Sequence, residues 1–427
     1  MRPRRFRTSH RSRCVPICFV SALLVFLSSV SSAVNNPANA VERLELEVRE
    51  TSGLARGGYP AHALLKLPRP VPVTTKFRLV YEGKPVVAQF RPDREEATAQ
   101  PAEKNTAQWW LDFQTELKPQ ETKRYVVEFG DDVPVGPERP QGHKLTKVDK
   151  GFSIANAPYI TWTVPHDLKG LLQSVDFAPS EFLRADSPGL LVRNRQNREI
   201  PFSGTGRVIR QGPMAVALRF EKAETQETLR DVRSTVDLIF PAPVSWVEVE
   251  WNIDDPLDNV AAVGLQLDLN LEKGSATPAL VDFGATSVVY ISLRPGQEAE
   301  LLAGPLTKSN EDGPLWEIRR RDHDSVKPFA LGPKRSASRP VEGWAHVMDR
   351  KICLALAMDA FARDTRDRIS AAADGRVTVW REYDAAQKTK SKRLRLWLHF
   401  VHFPPQATAG ASPQQMQTPL EVRLSGQ

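Results

Sequence analysis

Cysteine is nearly absent from this 427-residue chain, which has three: Cys14, Cys18 and Cys353. Cys14 and Cys18 lie near the N-terminus, so a chain processed after that segment would keep Cys353 alone. Disulfide-dense extracellular scaffolds are therefore excluded. A chain of this length can bury enough apolar surface to fold without disulfides, and it predicts two or three domains. Cys353 lies in an apolar run, which favours a small buried side chain over a nucleophile.

An excess of charge is also missing outside the N-terminal segment. The whole chain has 58 Lys and Arg against 51 Asp and Glu. Six of the basic residues and none of the acidic ones lie in residues 1–40, which leaves 52 against 51. The basic residues of that segment are Arg2, Arg4, Arg5, Arg7, Arg11 and Arg13. The balanced remainder excludes a nucleic-acid binder, which needs a basic surface.

Residues 1–40 follow the order of a secretory signal. Their basic start is followed by an apolar stretch from Val15 to Val30 and then by small residues. This order predicts a signal peptide, cleaved after Ala33 or Ala40. The apolar stretch is shorter than the roughly 20 residues that span a bilayer, and a retained N-terminal anchor is the alternative. We therefore expect an exported, secreted or periplasmic protein with no transmembrane span after signal removal.

Motifs for cofactors and metals are missing as well. The sequence contains no Gly-rich phosphate loop and no Gly-x-Ser-x-Gly elbow. His399 and His402 would share a metal ion only on a helix, because residues three apart on a strand point to opposite faces. We expect no cofactor and no metal site.

Long amphipathic helical patterns are absent, and strand patterns run through the chain. Leu44–Thr51 alternates apolar and charged residues, and Glu82-Gly83-Lys84 separates two apolar runs as a hairpin turn would. The fold class is predicted as all-β, with a small N-terminal barrel at 41–130 and a large antiparallel β-sandwich at 147–427. Residues 131–146, rich in Pro and Gly, are predicted to link the two.

The segment Gly343–Phe361 is the clearest hairpin. The polar residues Asp349, Arg350 and Lys351 interrupt two apolar runs. In the second run large apolar residues alternate with Cys353, Ala355 and Ala357, whose small side chains would let a second layer approach closely. We predict a strand buried on both sides, followed by a charged edge.

Several segments together carry a resemblance to a known family. In the first part they are Glu50–Pro60, the strand ending at Leu67, Phe77–Val80, Trp109–Phe113 and Tyr125–Gly130. In the second part they are Gly343–Phe361, Val377–Trp380 and Leu396–Phe400. The first set resembles the RIFT barrel that begins the exo-rhamnogalacturonan lyase-like (YetA-like) proteins, and the second is similar to the β-sandwich that follows it.

Two departures limit what the resemblance implies. The family's Trp-x-Asp-Gly-Ser turn is missing from the corresponding loop, Glu95–Thr106. Family chains also continue into a long α/α toroid linked to catalysis, which has no counterpart before Gln427. The resemblance therefore implies a carbohydrate-associated architecture and favours a protein without the lyase activity.

Candidate carbohydrate-binding residues combine flat aromatic rings with charged groups. Tryptophan rings suit the apolar faces of sugars, while lyase chemistry on a uronic acid needs a base and a cation for the carboxylate. The candidates are Trp344, His346, Asp359, Arg363, Trp380, Glu382 and His399. Core tryptophans, a structural histidine and a solvated loop network explain the same residues.

Three hypotheses follow. The first is an exported accessory or binding protein for a polysaccharide, acidic or pectin-like. The second is a stand-alone polysaccharide lyase or hydrolase. The third is a structural protein of the cell envelope that binds a partner protein.

Overall fold

A computed structural model of the chain places most of its described residues in β-strands. The description covers residues 41–93, 105–137, 139, 142–156, 159–177, 180–222, 229–272, 279–284, 289–304, 316–331, 341–402 and 412–425. The predicted signal at residues 1–40 and most of the predicted loop Glu95–Thr106 lie outside these ranges. The prediction of an all-β fold is confirmed.

Seven strands make up most of the N-terminal barrel. They are β1 Glu42–Arg49, β2 Arg56–Pro72, β3 Phe77–Tyr81, β4 Lys84–Val86, β5 Ala88–Pro92, β6 Asn105–Leu117 and β7 Thr122–Phe129. The turn between β3 and β4 has positive φ at Glu82 and Gly83, 49° and 75°. Two successive positive φ values suit a tight hairpin, so the predicted hairpin is confirmed.

The rest of the described chain supplies 23 more strands, one short α-helix and one turn of 3-10 helix, Ala385–Gln387. The first group is β8 Lys144–Val148, β9 Gly151–Asn156, β10 Ile160–Pro165, β11 Ser174–Phe177, β12 Ser180–Glu181, β13 Gly189–Asn194, β14 Glu199–Pro201, β15 Gly204–Arg210, β16 Ala215–Lys222, β17 Arg233–Pro241 and β18 Trp246–Asp254. The second group is β19 Val260–Asp268, β20 Ala279–Phe283, β21 Val289–Leu293, β22 Gln297–Ala303, β23 Trp316–Asp322, β24 Ser325–Leu331, β25 Trp344–Met348, β26 Ile352–Met358, β27 Arg366–Ala372, β28 Arg376–Glu382, β29 Ser391–His402, helix α1 Ser412–Gln417 and β30 Glu421–Leu424. No helix in the described ranges is long and apolar enough to cross a membrane.

The strands form five antiparallel sheets. The barrel has a five-stranded sheet in the order β30-β1-β7-β3-β4 and a three-stranded sheet in the order β2-β6-β5. The sandwich has an eight-stranded sheet, β14-β13-β19-β28-β27-β22-β23-β24, and a nine-stranded sheet, β15-β16-β17-β18-β29-β26-β25-β20-β21. A five-stranded sheet, β12-β11-β10-β9-β8, completes it. One large apolar core includes inward side chains of all three sandwich sheets.

The last strand returns to the barrel, which differs from the predicted sandwich range of 147–427. Strand β30 pairs with β1, with Leu424 opposite Leu46. Buried Arg56 fixes the returning segment, since its guanidinium donates to the carbonyl of Gln415 at 2.8 Å and forms an ion pair with Glu50 at 3.2 Å. Pairing between the first and the last strand leaves no local signal, so periodicity could not reveal it.

The hairpin predicted at Gly343–Phe361 is confirmed as β25 and β26. Every residue of β26 is buried. Leu354 and Leu356 face the sandwich core, while Ala355 and Ala357 belong to the barrel's apolar core. The sequence predicted that these small side chains let a second layer approach closely, and the structure shows that this layer is the barrel. Cys353 is fully buried, and burial raises the pKa of its thiol to about 12, so it is unreactive.

Candidate functional site

The outer face of the nine-stranded sheet holds three of the predicted sugar-binding residues. Trp344, His346 and His399 lie on strands β25 and β29, and their side chains point toward the barrel. Trp344 and His346 are only 4% and 2% exposed. Trp344 packs in the barrel core together with Trp246. These side chains therefore lie in an internal seam that a polysaccharide chain does not reach.

One row of residues across the neighbouring strands carries Asp282 and both histidines of this seam. Asp282, His346, Ala355, His399 and Trp246 are successive partners on neighbouring strands. A ring nitrogen of His346, Nδ1, lies 3.2 Å from Oδ2 of Asp282. The ring of His399 stands edge-on to Trp246, with centroids 5.7 Å apart. Burial, with a smaller contribution from His346, lowers the pKa of His399 to about 4. His399 is thus neutral at neutral pH, as expected for a structural histidine.

Asp359 and Arg363 lie in the segment after β26. The backbone of Asp359 is fixed on both sides, because its N–H donates to Arg395 O at 3.0 Å and its carbonyl accepts from Arg381 Nη2 at 2.6 Å. Arg381 also forms a buried ion pair with Asp367 at 2.9 Å. Arg363 is exposed. The buried ion pair of Arg381 and Asp367 thus fixes the charged segment after β26, while the side chain of Arg363 faces solvent.

Trp380 and Glu382 lie on the other large sheet, on the outer face of β28. The ring of Trp380 rests over Gly264, where a Cβ atom would come within 2.6 Å of it. The guanidinium of Arg193 covers the ring at 4.2 Å from its centroid and lies 3.4 Å from Oε1 of Glu382. Trp380 is 5% exposed, so Arg193 occupies the position where a sugar ring would stack. The seven predicted residues therefore do not form one site.

Sequence reasoning missed the residues that continue this open face. Glu300 on β22 stands opposite Arg319 of β23 and Ser370 of β27. Arg368 Nη1 lies 3.9 Å from Glu300 Oε2. Ser370 and Thr378 share a hydrogen bond of 2.5 Å. A signal was present, since Glu298 and Glu300 alternate with Ala299 and Leu301 and so predict a charged outer face of that strand.

Six side chains on this outer face form what we call the Arg/Glu face: Arg193, Glu300, Arg319, Arg368, Trp380 and Glu382. The exposed fraction of its charged side chains runs from 15% for Glu300 to 41% for Arg319. Burial raises the pKa of Glu300, although Arg368 and Arg319 act to lower it. A half-buried carboxyl with a raised pKa can donate or accept a proton. The guanidinium of Arg368 can bind a carboxylate in two-point contacts, whereas that of Arg319 already donates to Glu317 Oε2 at 2.7 Å. No group of three or more His, Cys, Asp or Glu in the described part of the chain could hold a metal ion.

Comparisons with known proteins find a shared fold at low sequence identity. No protein-family model matches the chain, and no curated protein sequence matches it. A solved structure described as a protein in glycosyl hydrolase family 38 from Enterococcus faecalis matches 90% of the chain with 8% identity and a TM-score of 0.56. The chain spans about half, 47%, of that protein's length. The match therefore shows a shared fold.

A second solved structure is much less similar. A galactose mutarotase-like protein from Lactobacillus casei matches 61% of this chain over 100% of its own length, with 13% identity. Its TM-score is 0.33, which is too low to support a fold assignment.

Proposed function

We propose that this protein is an exported carbohydrate-binding protein that holds an acidic polysaccharide on the Arg/Glu face. The observation that carries the proposal is Glu300 on the outer face of the eight-stranded sheet, a half-buried carboxyl with a raised pKa that lies 3.9 Å from Arg368 and stands opposite Arg319. Ionisable groups with perturbed pKa values cluster at functional sites. The resemblance to the barrel and sandwich of YetA-like proteins supports the same class of ligand, and so does the fold shared with a glycosyl hydrolase family 38 protein. Export is supported by the signal-like order of residues 1–40.

The chemistry of the face suits a chain of uronic acids. Arg368 would pair with a sugar carboxylate, because hydrogen bonds between charged groups are stronger than those between neutral partners. Glu300, Glu382 and Thr378 would accept or donate hydrogen bonds to ring hydroxyls. The arginine side chain and the hydrogen-bonding side chains lie on neighbouring strands, which are about 5 Å apart in an antiparallel sheet. A polysaccharide laid across the strands would therefore contact several of them.

A glycan array with pectic and other acidic polysaccharides tests this proposal. We expect Glu300→Gln to weaken binding by about tenfold or more, because a hydrogen bond to a charged group contributes about 1.5–3 kcal/mol. The matched control is Glu221→Gln, which removes a carboxylate paired with Arg207 at 2.8 Å on the nine-stranded sheet. Binding to Glu300→Gln as strong as to the wild type, or no binding to any glycan, contradicts the proposal.

The same carboxyl supports a second candidate, cleavage of the bound polysaccharide by a stand-alone lyase. Glu300 would take the proton next to the uronic acid carboxylate, and Arg368 would neutralise that carboxylate. Incubation with acidic polysaccharides, followed at the absorbance of unsaturated uronates, separates the two candidates. A signal that Glu300→Gln abolishes and Glu221→Gln leaves intact favours the enzyme. Binding without any such signal favours the accessory protein.

A further inference from the structure

The hairpin of β23 and β24 extends beyond the core of the sandwich. Trp316 and Ile318, at the start of β23, are buried in that core. Every residue from Arg320 to Phe329 is exposed. We call this stretch, Arg320–Phe329, the hairpin arm. Since residues on both of its sides are exposed, both sides are accessible to a ligand.

The tip of the hairpin arm is attached to the start of β22. Asp322 accepts a hydrogen bond from Gln297 Nε2 at 3.1 Å and lies 2.9 Å from the ring of His323. The N–H of His323 donates to the carbonyl of Gly296 at 3.5 Å. These contacts fix the position of the arm before a ligand arrives, which reduces the entropic cost of binding.

The free edge of the arm is poorly suited to pairing with another strand. Pro328 has no N–H, and the register of β24 against β23 shifts between Ile318 and Arg319. Proline and bulges in an edge strand prevent such pairing. A ligand of the arm therefore contacts its side chains, and strand addition by a peptide or by a second copy of this protein is disfavoured.

One side of the arm continues the Arg/Glu face. Arg319 and Arg321 alternate along β23 with buried Ile318 and with Arg320, so both point to the outer side of the sheet. Arg321 lies two strands across and four residues along from the position of Arg368. At the spacings of an antiparallel sheet this separation is about 17 Å. A long ligand on the Arg/Glu face would therefore reach the arm.

Arg321 is more available to an anion than Arg319. Arg319 donates to Glu317 Oε2 at 2.7 Å. Glu298 stands opposite Arg321, but its carboxylate lies 3.7 Å from Arg376. Within the described ranges Arg321 makes no hydrogen bond and no ion pair. A carboxylate that binds Arg321 would therefore displace no existing partner, and it would gain a charge-assisted contact.

An apolar strip lies beside Arg321. Val326 stands opposite Arg321, and Pro328 stands opposite Arg319, so both apolar side chains share the outer side of the arm. Val326 is 43% exposed. Covering exposed apolar surface is favourable. A cation next to such a strip suits a sugar ring that carries a carboxylate at its edge and C–H groups on its face.

We propose that the hairpin arm binds the sugar units of an acidic polysaccharide that extend beyond Arg368, with Arg321 paired to a carboxylate and Val326 against a ring face. The choice of ligand rests on the proposed function. The arm adds a length requirement to that function, because only a long chain of uronic acids reaches from Arg368 to Arg321.

Calorimetric titration of the full chain with trigalacturonate and with hexagalacturonate tests the arm. Arg321→Gln is expected to weaken hexagalacturonate binding by about fivefold, the effect of losing an exposed ion pair, and to leave trigalacturonate binding unchanged. Arg368→Gln should weaken the binding of both. The matched control is Arg320→Gln, which removes the same charge from the other side of the arm and should change neither affinity. Both arm arginines are exposed, so both variants should fold like the wild type.

The outcomes separate the arm from the proposed function. Equal hexagalacturonate affinities of Arg321→Gln and Arg320→Gln overturn the arm as a binding site, while weaker binding by Arg368→Gln still supports the Arg/Glu face. Loss of trigalacturonate and hexagalacturonate affinity by the same factor in Arg321→Gln overturns the length requirement. If the wild type binds neither oligomer, the proposed function is contradicted, and the arm with it.

Discussion

Replacement of Lys392 by methionine is expected to lower the free energy of unfolding by about 3–5 kcal/mol, since breaking a buried ion pair leaves an uncompensated charge. Lys392 and Asp255 are both fully buried, with Nζ 2.7 Å from Oδ2. The same ammonium lies 2.9 Å from Asp258. Asp255 also accepts the backbone N–H of Val260 at 2.8 Å, at the first residue of β19. The pair thus connects β29 of the nine-stranded sheet to the start of a strand in the eight-stranded sheet.

Urea denaturation measures this effect, and two further variants sharpen it. Lys351→Met removes an exposed ion pair with Glu272, 2.8 Å long, and should cost less than about 1 kcal/mol. The double variant Lys392→Met/Asp255→Asn also removes the buried carboxylate charge that Lys392→Met leaves unpaired, so part of the lost stability should return. A Lys392→Met loss no larger than that of Lys351→Met would show that the buried pair does not hold the two sheets.

Acidification is expected to destabilise the fold between pH 6.5 and about 4 through His143 and His399. Burial lowers the pKa of each to about 4. As the pH falls below the usual histidine pKa of 6.5, the unfolded chain takes up protons that the native rings do not. Each pKa unit corresponds to about 1.4 kcal/mol, so each histidine contributes a loss of up to about 3 kcal/mol.

Differences between variants isolate the histidine contribution. Glu181 acts in the opposite direction, because burial and Asp176 raise its pKa to about 7. We therefore compare urea midpoints at pH 7.5 and pH 4.5 for the wild type, His143→Phe and His399→Phe. Each variant should lose less stability on acidification than the wild type, whereas exposed His323→Gln should match it. Identical losses in all four proteins would contradict the burial of neutral rings.

The sequence predicted strands and turns well wherever the residues of a single segment show the pattern by themselves. The hairpin of β25 and β26 was visible because small and large residues alternate in Cys353–Met358, and the β3–β4 turn because Glu82-Gly83 accepts positive φ. The sheet to which each strand belongs depends on pairing between distant segments. Trp344 and Trp380 look alike in sequence, yet one lies under the barrel and the other on the opposite sheet.

The candidate site was harder to predict for the same reason. Glu300, Arg319 and Arg368 come from three strands that are not all consecutive in the chain, and only their register places them side by side. Periodicity shows that these side chains face outward, but both large sheets have an outer face. The packing of the barrel against one of them decides which face remains open.

We propose that an acidic polysaccharide binds the Arg/Glu face and not the seam under the barrel. The most direct measurement is calorimetric titration of the full chain with trigalacturonate. We predict that Arg368→Gln and Glu300→Gln each weaken the affinity by about tenfold or more, while Glu221→Gln leaves it unchanged. Equal affinities of all three variants would contradict the claim.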